Sequence, residues 1–244
     1  MRMRFQALLP AVALALAGCS GGADGNAASA PAGAPAKSVA APAGQSWNEV
    51  VSKTAEGYRM GNPDAPVKLV EYGSRLCPAC RQFATDSLPR IFKDYVPTGK
   101  VSYEFREFLI HGAADLPPSL LGRCVGEAPF FAVMEQQYAN QPAFVDKLTP
   151  AFMQSIQSLP PAQAIPAMAQ QMGLVDFMKQ RGLPEAKARA CLADMKQVDA
   201  LTAQTQAKGA DGTVTGTPTL IVNGSKIDGF AWSDIEKALK AAGA

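Results

Sequence analysis

The chain has 244 residues, 48% of them hydrophobic, and its 23 Lys and Arg stand against 21 Asp and Glu for a formal charge of +2. A chain of this length can bury a real core as one or two domains, so size alone calls for no disulfide staple. The balance holds no basic excess to recruit nucleic acid, and the five cysteines are an odd number, so at least one is unpaired, intermolecular or modified.

At the N-terminus, "MRMRFQALLPAVALALAGC" sets Arg2 and Arg4 before an apolar run too short to span a bilayer comfortably, then small residues. That is the pattern of a secretory signal over residues 1–18 rather than a transmembrane helix. "LAGC", Leu16 to Cys19, resembles a lipobox, which implies cleavage before Cys19 and a lipid anchor on its thiol. The resemblance places the mature chain in the cell envelope, held to the bilayer through Cys19 on the periplasmic face. Ser20 after it resembles sorting to an outer membrane where the cell has one. An ordinary secretory peptide with an incidental cysteine is the alternative. Losing residues 1–18 leaves 21 bases and 21 acids. Residues 19–46 are mostly Ala, Gly, Pro and Ser, which reads as a tether, and the folded part is expected to start near Trp47.

Next, "APVKLVEYGS" is β-rich and runs directly into "RLCPACRQF", as a buried strand feeding a turn and a helix would. Period two puts Val67, Leu69 and Glu71 on one face. Glu71 is therefore a candidate buried acid with a raised pKa, unless it lies at the strand end and reaches water. Cys77 and Cys80 form a CxxC, a spacing that suits redox chemistry, a metal site or a simple staple. Phe83, Leu88, Ile91, Phe92 and Tyr95 follow at roughly helical spacing, with Pro89 a kink or break. "KVSYEFREFLI", from Lys100, is a second strand by its β-branched and aromatic content. These pieces make a βαβ unit with the CxxC at the start of its helix.

From about His111 to Gly209 the pattern becomes helical throughout. Phe130, Val133, Met134 and Tyr138, then Val145, Leu148, Phe152, Ile156 and Leu159, then Ala188, Cys191, Leu192, Met195 and Val198 each keep helical spacing. Such stripes read as packing faces rather than a cofactor box. In "GTPTLIVNGSKIDGF", Asn223 and Gly224 join two β runs as a hairpin, and "SDIEKALKAAG" opens a closing helix with Ser233 and Glu236 spaced as a capping box.

Taken together, a strand carrying Glu, a CPxC at a helix start, a helical insertion and a Thr-Pro before a hairpin resemble the DsbA-like branch of the thioredoxin superfamily, from about Gly57 onward. "GNPDAPVKLVEYGSRLCPAC" is similar to that family's opening segment and "GTPTLIVNG" to its cis-proline segment. The resemblance implies an α/β thioredoxin fold over 47–110 and 210–244 with an all-helical insertion over 111–209. It also implies a thiol-disulfide oxidoreductase acting on extracytoplasmic protein thiols or disulfides, recharged by a membrane redox partner, with no cofactor. Cys77, Cys80 and Glu71 would be catalytic, and Thr217 with cis Pro218 would contact substrate.

The chemistry suits the spacing. Pro78 falls where its missing N–H is not needed, and the amides of the first helical turn favour Cys77 as thiolate, leaving Cys80 as the resolving thiol. The second inner residue is Ala79, where strongly oxidising relatives have His, so a less oxidising couple is expected. Thr217 is compatible with oxidase, isomerase and reductase roles, of which oxidase is the favoured one. His111, the one histidine, has no second ligand motif around it, so no metal is expected, and it reads as a loop residue. A surface lipoprotein with a static CxxC disulfide is the non-enzymatic alternative. With the other cysteines assigned in this way, Cys124 and Cys191 remain as partners in an oxidising compartment, and some DsbA-like relatives carry an extra bridge in their helical domain. Two inert buried thiols are the alternative there.

Overall fold

A computed structural model describes residues 36–244, so the lipobox and Cys19 lie outside the described residues. Six strands form one sheet: β1 (Val51–Lys53), β2 (Tyr58–Met60), β3 (Val67–Gly73), β4 (Val101–Glu107), β5 (Thr219–Val222) and β6 (Ser225–Lys226). Their order is β1-β2-β4-β3-β5-β6, with β3 parallel to β4 and every other pairing antiparallel. Being central, β3 is covered on both faces. Val67, Leu69 and Glu71 are all fully buried on one of them, while Tyr72 packs with Phe108 and Val214 on the other. The three-residue strands β1 and β2 are too short to show a period, and the sequence pattern did not mark them.

The helical path after β3 begins with α1 (Pro78–Asp86), breaks at Ser87, and resumes as α2 (Leu88–Arg90) and a π-helical turn over Ile91–Tyr95. Pro89 sits in the first turn of α2, where its missing N–H costs nothing. After β4 come α3 (Leu116–Cys124), α4 (Phe130–Ala139), α5 (Gln141–Val145), α6 (Pro150–Ile156), α7 (Pro161–Met172), α8 (Leu174–Lys179), α9 (Glu185–Leu192) and α10 (Met195–Ala210). The closing helix, α11, spans Trp232–Ala241. This is a thioredoxin fold with a helical insertion.

Two apolar cores hold it. One joins Leu69, Tyr103, Phe105 and Leu220 of the sheet to Phe83 of α1, Met134 of α4 and Ile235 of α11. The other lies among the inserted helices, with Leu120 and Leu121 of α3, Met168 and Met172 of α7, and Leu192 of α9. The stripe of Phe130, Met134 and Tyr138 thus packs on the sheet core rather than within the insertion, so α4 couples the two layers.

Several expected details differ. The stripe from Val145 to Leu159 is split, because Thr149 accepts a hydrogen bond from the Phe152 amide and caps a new helix at Pro150; Val145 and Leu159 are left exposed. Asp194 likewise caps α10, so Cys191 belongs to α9, one helix earlier than its stripe suggested. At α11 the helix begins at Trp232, which puts Ser233 inside the first turn without a capping bond, while Glu236 pairs with Lys240 at 2.8 Å. The capping box of this chain is Ser46 with Glu49, both bonds present. The tether also ends earlier than Ser46. Ala36 N donates to Gly243 O at 2.9 Å, Val39 N to Thr98 O at 3.0 Å, and Trp47 Nε1 to Val39 O at 2.7 Å, docking this stretch on the fold.

Candidate active site

β3 delivers its last residues to the site. Gly73 has no room for a side chain: a Cβ there would lie 2.6 Å from both Glu71 Oε1 and a Phe105 ring carbon. The chain then turns through Ser74, Arg75 and Leu76, and Cys77 caps α1 with Pro78 in the first turn. Both cysteines of the CxxC are free thiols; Cys80 is fully buried and Cys77 is 7% exposed.

The five expected residues converge. Cys77 Sγ lies 3.3 Å from the Thr217 carbonyl oxygen, and the Thr217–Pro218 peptide is cis. Cys77 is held down to a pKa of about 5, first by the hydrogen bond from the Cys80 thiol and also by the Cys80 and Ala79 amides, against the cost of burial. The helix-end amides act as expected, but the neighbouring thiol outweighs them. Cys80 is pushed the other way, mainly by burial, then by bonding to Cys77 and by the Glu71 and Cys77 charges. Glu71 is raised to about 8 by burial, with the Tyr103 hydroxyl, which donates to Oε2, opposing that rise. Its Oε1 has no hydrogen-bond partner among the described residues.

The loop carrying Cys77 is pinned by residues that the sequence did not single out. Arg75, 1% exposed, pairs with Glu107 at 2.8 Å, donates to Gln137 Oε1, and lies over the Phe105 and Phe130 rings. Gln141 Nε2 donates to the carbonyls of Arg75 at 3.0 Å and Cys77 at 2.9 Å. Tyr138 OH donates to Ser74 O, while Ser74 Oγ donates to Asp115 Oδ1 at 2.6 Å. The inserted helices therefore grip the active-site turn through hydrogen bonds as well as apolar packing. An Arg two residues before a CxxC and a Glu closing the next strand are the signal available in the sequence, but nothing in their spacing pairs them.

Cys124 and Cys191 are joined as a disulfide with Cα atoms 6.1 Å apart, at the opposite end of α3 from Asp115. Beside Thr217 and Pro218, a shallow groove of about 230 Å³ runs past Ile227 and Phe230. It shares Gly229 and Phe230 with a larger one of about 840 Å³, between α1 and the loop before α11. The cavity of about 890 Å³ lined by Leu116, Met153, Ile165 and Met195 belongs to the insertion and contains no thiol. Among the described residues, no group of three or more His, Cys, Asp or Glu side chains could hold a metal. No helix among them is long and apolar enough to cross a membrane.

Comparison with known proteins agrees with this fold. The family model described as Thioredoxin matches residues 53–241. A Rickettsia prowazekii protein, provisionally named a protein-disulfide oxidoreductase, is 28% identical over 183 residues, which cover 75% of this chain. The chain spans about 60% of the length of that curated relative. Among solved structures, a protein-disulfide isomerase from Novosphingobium aromaticivorans is 27% identical with a TM-score of 0.72, covering 77% of this chain and 98% of the other. The α-DsbA1 of Wolbachia pipientis, 20% identical with a TM-score of 0.60, shares the fold over 82% of this chain and 96% of its own. The chain belongs to the thioredoxin family and has the DsbA-like form of its fold.

Proposed function

We infer that the protein is an exported thiol-disulfide oxidoreductase that exchanges disulfides with protein substrates through Cys77 and Cys80. The observation that carries this reading is the unequal placement of two free thiols one helical turn apart, Cys77 at the helix start 3.3 Å from the Thr217 carbonyl that precedes a cis proline and Cys80 fully buried behind it. A static staple has no use for that asymmetry. In the oxidising direction, a substrate thiolate attacks Cys77 Sγ of the disulfide, and the electron pair of the broken S–S bond goes to Cys80 Sγ. Glu71, protonated at neutral pH by virtue of its raised pKa, hands Cys80 a proton and regains one from solvent. A second substrate thiolate then attacks the substrate sulfur of the mixed disulfide and expels Cys77, which leaves readily as a stable thiolate. The substrate has lost two electrons and two protons; the enzyme keeps both electrons and one proton. Run backwards, the same steps reduce a disulfide.

Thr217 and Pro218 flank the groove beside Cys77, a suitable seat for an extended substrate segment. The Cys124–Cys191 bridge is assigned a structural role. A lipid anchor at Cys19 and a membrane partner that resets the couple complete the reading. Two measurements test it. Equilibration of the pair with glutathione should give a potential in the range of catalytic rather than structural disulfides, and a pair that resists mild thiols would refute the enzymatic role. Labelled palmitate should enter the full chain and not its Cys19→Ala variant, equal labelling of both removing the anchor.

A further inference from the structure

His111 and Asp115, in the segment between β4 and α3, form a buried-acid and imidazole pair hydrogen-bonded through Ser74 to the turn that carries Cys77. Asp115 is fully buried, and its Oδ2 accepts the His111 amide at 2.7 Å while Oδ1 accepts the Ser74 hydroxyl at 2.6 Å. His111 Nδ1 lies 3.3 Å from Asp115 and 3.3 Å from Ser74 Oγ. The same Ser74 Oγ accepts the Leu76 amide, and Ser74 O accepts the Cys77 amide. One serine thus ties the imidazole to the residues on either side of the peptide that sets Cys77 in place. Among the described residues, the ion-pair partner of Asp115 is His111. The imidazole itself is 43% exposed, so it exchanges protons freely with solvent.

We propose that His111, oriented by Asp115 and Ser74, is a positioning residue whose imidazolium stabilises the Cys77 thiolate and so sets how oxidising the Cys77–Cys80 couple is. The proposal rests on the oxidoreductase reading. Reduction of the disulfide takes two electrons and one proton and leaves a thiol at Cys80 and a negative charge at Cys77. That charge exists only in the reduced state, so a cation facing it stabilises the reduced state alone. Ala79, inside the motif, has no side-chain group for this task. His111 is held above its ordinary pKa, first by its hydrogen bond to Asp115 and also by the Asp115 and Cys77 charges. Of the helices packed against the His111 segment, α7 carries no ionisable group and α3 carries Arg123 at its far end, Cys124 there being disulfide-bonded. The Cys77 turn itself carries Arg75, paired with Glu107, and the charge of Glu71 acts on Cys77 and Cys80 from β3. On α10, Asp199 shares a cavity with Gly112, and Lys208 is engaged by Glu56 at 3.6 Å.

Because His111 is the chain's one histidine, its ring protons give a single NMR titration that needs no variant. Both redox states are prepared chemically, with an excess of a phosphine reductant or a small disulfide oxidant, so the comparison does not depend on turnover. The imidazole pKa is expected to be higher in the reduced protein than in the oxidised one, and equal values in the two states overturn the proposal. By reciprocity, His111→Gln should raise the Cys77 pKa, read from thiolate absorbance, and move the equilibrium with glutathione about two- to fivefold towards the disulfide. That difference should vanish as pH rises through the wild-type imidazole pKa. A variant as oxidising as the wild type at pH 6 counts against the proposal, as does a difference that persists undiminished at pH 9. Absence of turnover on protein substrates would instead sink the enzymatic reading while leaving the redox dependence of the imidazole measurable.

Discussion

The Tyr103 hydroxyl donates to the carboxyl of Glu71, both side chains fully buried, on paired positions of neighbouring strands offset by one pleat. This contact holds the acid in place, while burial decides its protonation state. The ordinary carboxyl value is 4.5 and the folded value about 8, so the folded protein keeps a proton that the unfolded chain releases. The Glu71 contribution to the unfolding free energy should therefore be largest below pH 4.5, fall as pH rises through the interval to about 8, and level off above it; the disulfide form is the one to measure, because in the reduced protein Cys77, lowered to about 5, contributes with the opposite sign. Glu71→Gln should flatten that dependence. Urea denaturation of both proteins across pH 4 to 9 checks it, and parallel curves would show that Glu71 is not the titrating group.

The same substitution separates proton relay from fold maintenance. If Glu71 supplies the proton taken up by Cys80, Glu71→Gln should slow disulfide exchange by about 10²-fold, in line with general acid catalysis, and remove an inflection near pH 8 from the rate profile. Tyr103→Phe removes the bond that holds the acid's pKa down, so that inflection should move to higher pH.

Cys77 and Cys80 should be separable by trapping. With Cys77 lowered to about 5, iodoacetamide at pH 6 should modify it while sparing buried Cys80. Cys80→Ser should accumulate mixed disulfides with substrate through Cys77, whereas Cys77→Ser should form none. Trapping through Cys80 would reverse the assigned roles.

The chemistry of this site was legible wherever it is written locally. The strand into "CPAC", the period-two face that buries Glu71, and the Asn223–Gly224 hairpin each follow from a few adjacent residues. What escaped depends on contacts across long sequence separations. Arg75 meets Glu107, and Gln137 and Gln141 reach back to the Cys77 turn, from positions with no periodic signature. His111 read as a loop residue, and it does lie in the turn after β4, but its contact with Ser74, 37 positions earlier, has no signature in the sequence. The starts of α6 and α10 were misplaced for a related reason: one capping side chain, Thr149 or Asp194, outweighs a continuing apolar stripe.

Arg75 and Glu107 offer a stability test at the heart of that network. Both are 1% exposed, so removing one partner leaves a charge without water or counter-ion. Glu107→Gln should cost about 3 kcal/mol or more by equilibrium unfolding, and Arg75→Met with Glu107→Leu together should cost less than either change alone. Gly122→Ala should also destabilise, because its Cβ would meet the Arg75 guanidinium at 2.4 Å. Additive costs for the paired substitutions would mean that the two side chains are not coupled.

The Cys124–Cys191 bridge joins α3 to α9 across a separation of 67 residues. Both helices contribute to the insertion's core, Leu120 and Leu121 from one and Ala188 and Leu192 from the other, so apolar packing already holds them together. The bridge then acts chiefly by restricting the unfolded chain, and closing a loop of this length is worth up to about 4 kcal/mol in the chain-entropy model. Cys124→Ser with Cys191→Ser should therefore lower the unfolding midpoint by several degrees, without a large change in the native near-UV spectrum. The effect on catalysis should be small, since the grip on the Cys77 turn comes from Asp115, Gln137, Tyr138 and Gln141, none of them on α9 or at the Cys124 end of α3. Stability and exchange rate measured on the same double variant distinguish the two roles. A stability loss with near wild-type turnover fits a structural bridge; unchanged stability with altered turnover would make Cys124 and Cys191 a second redox pair.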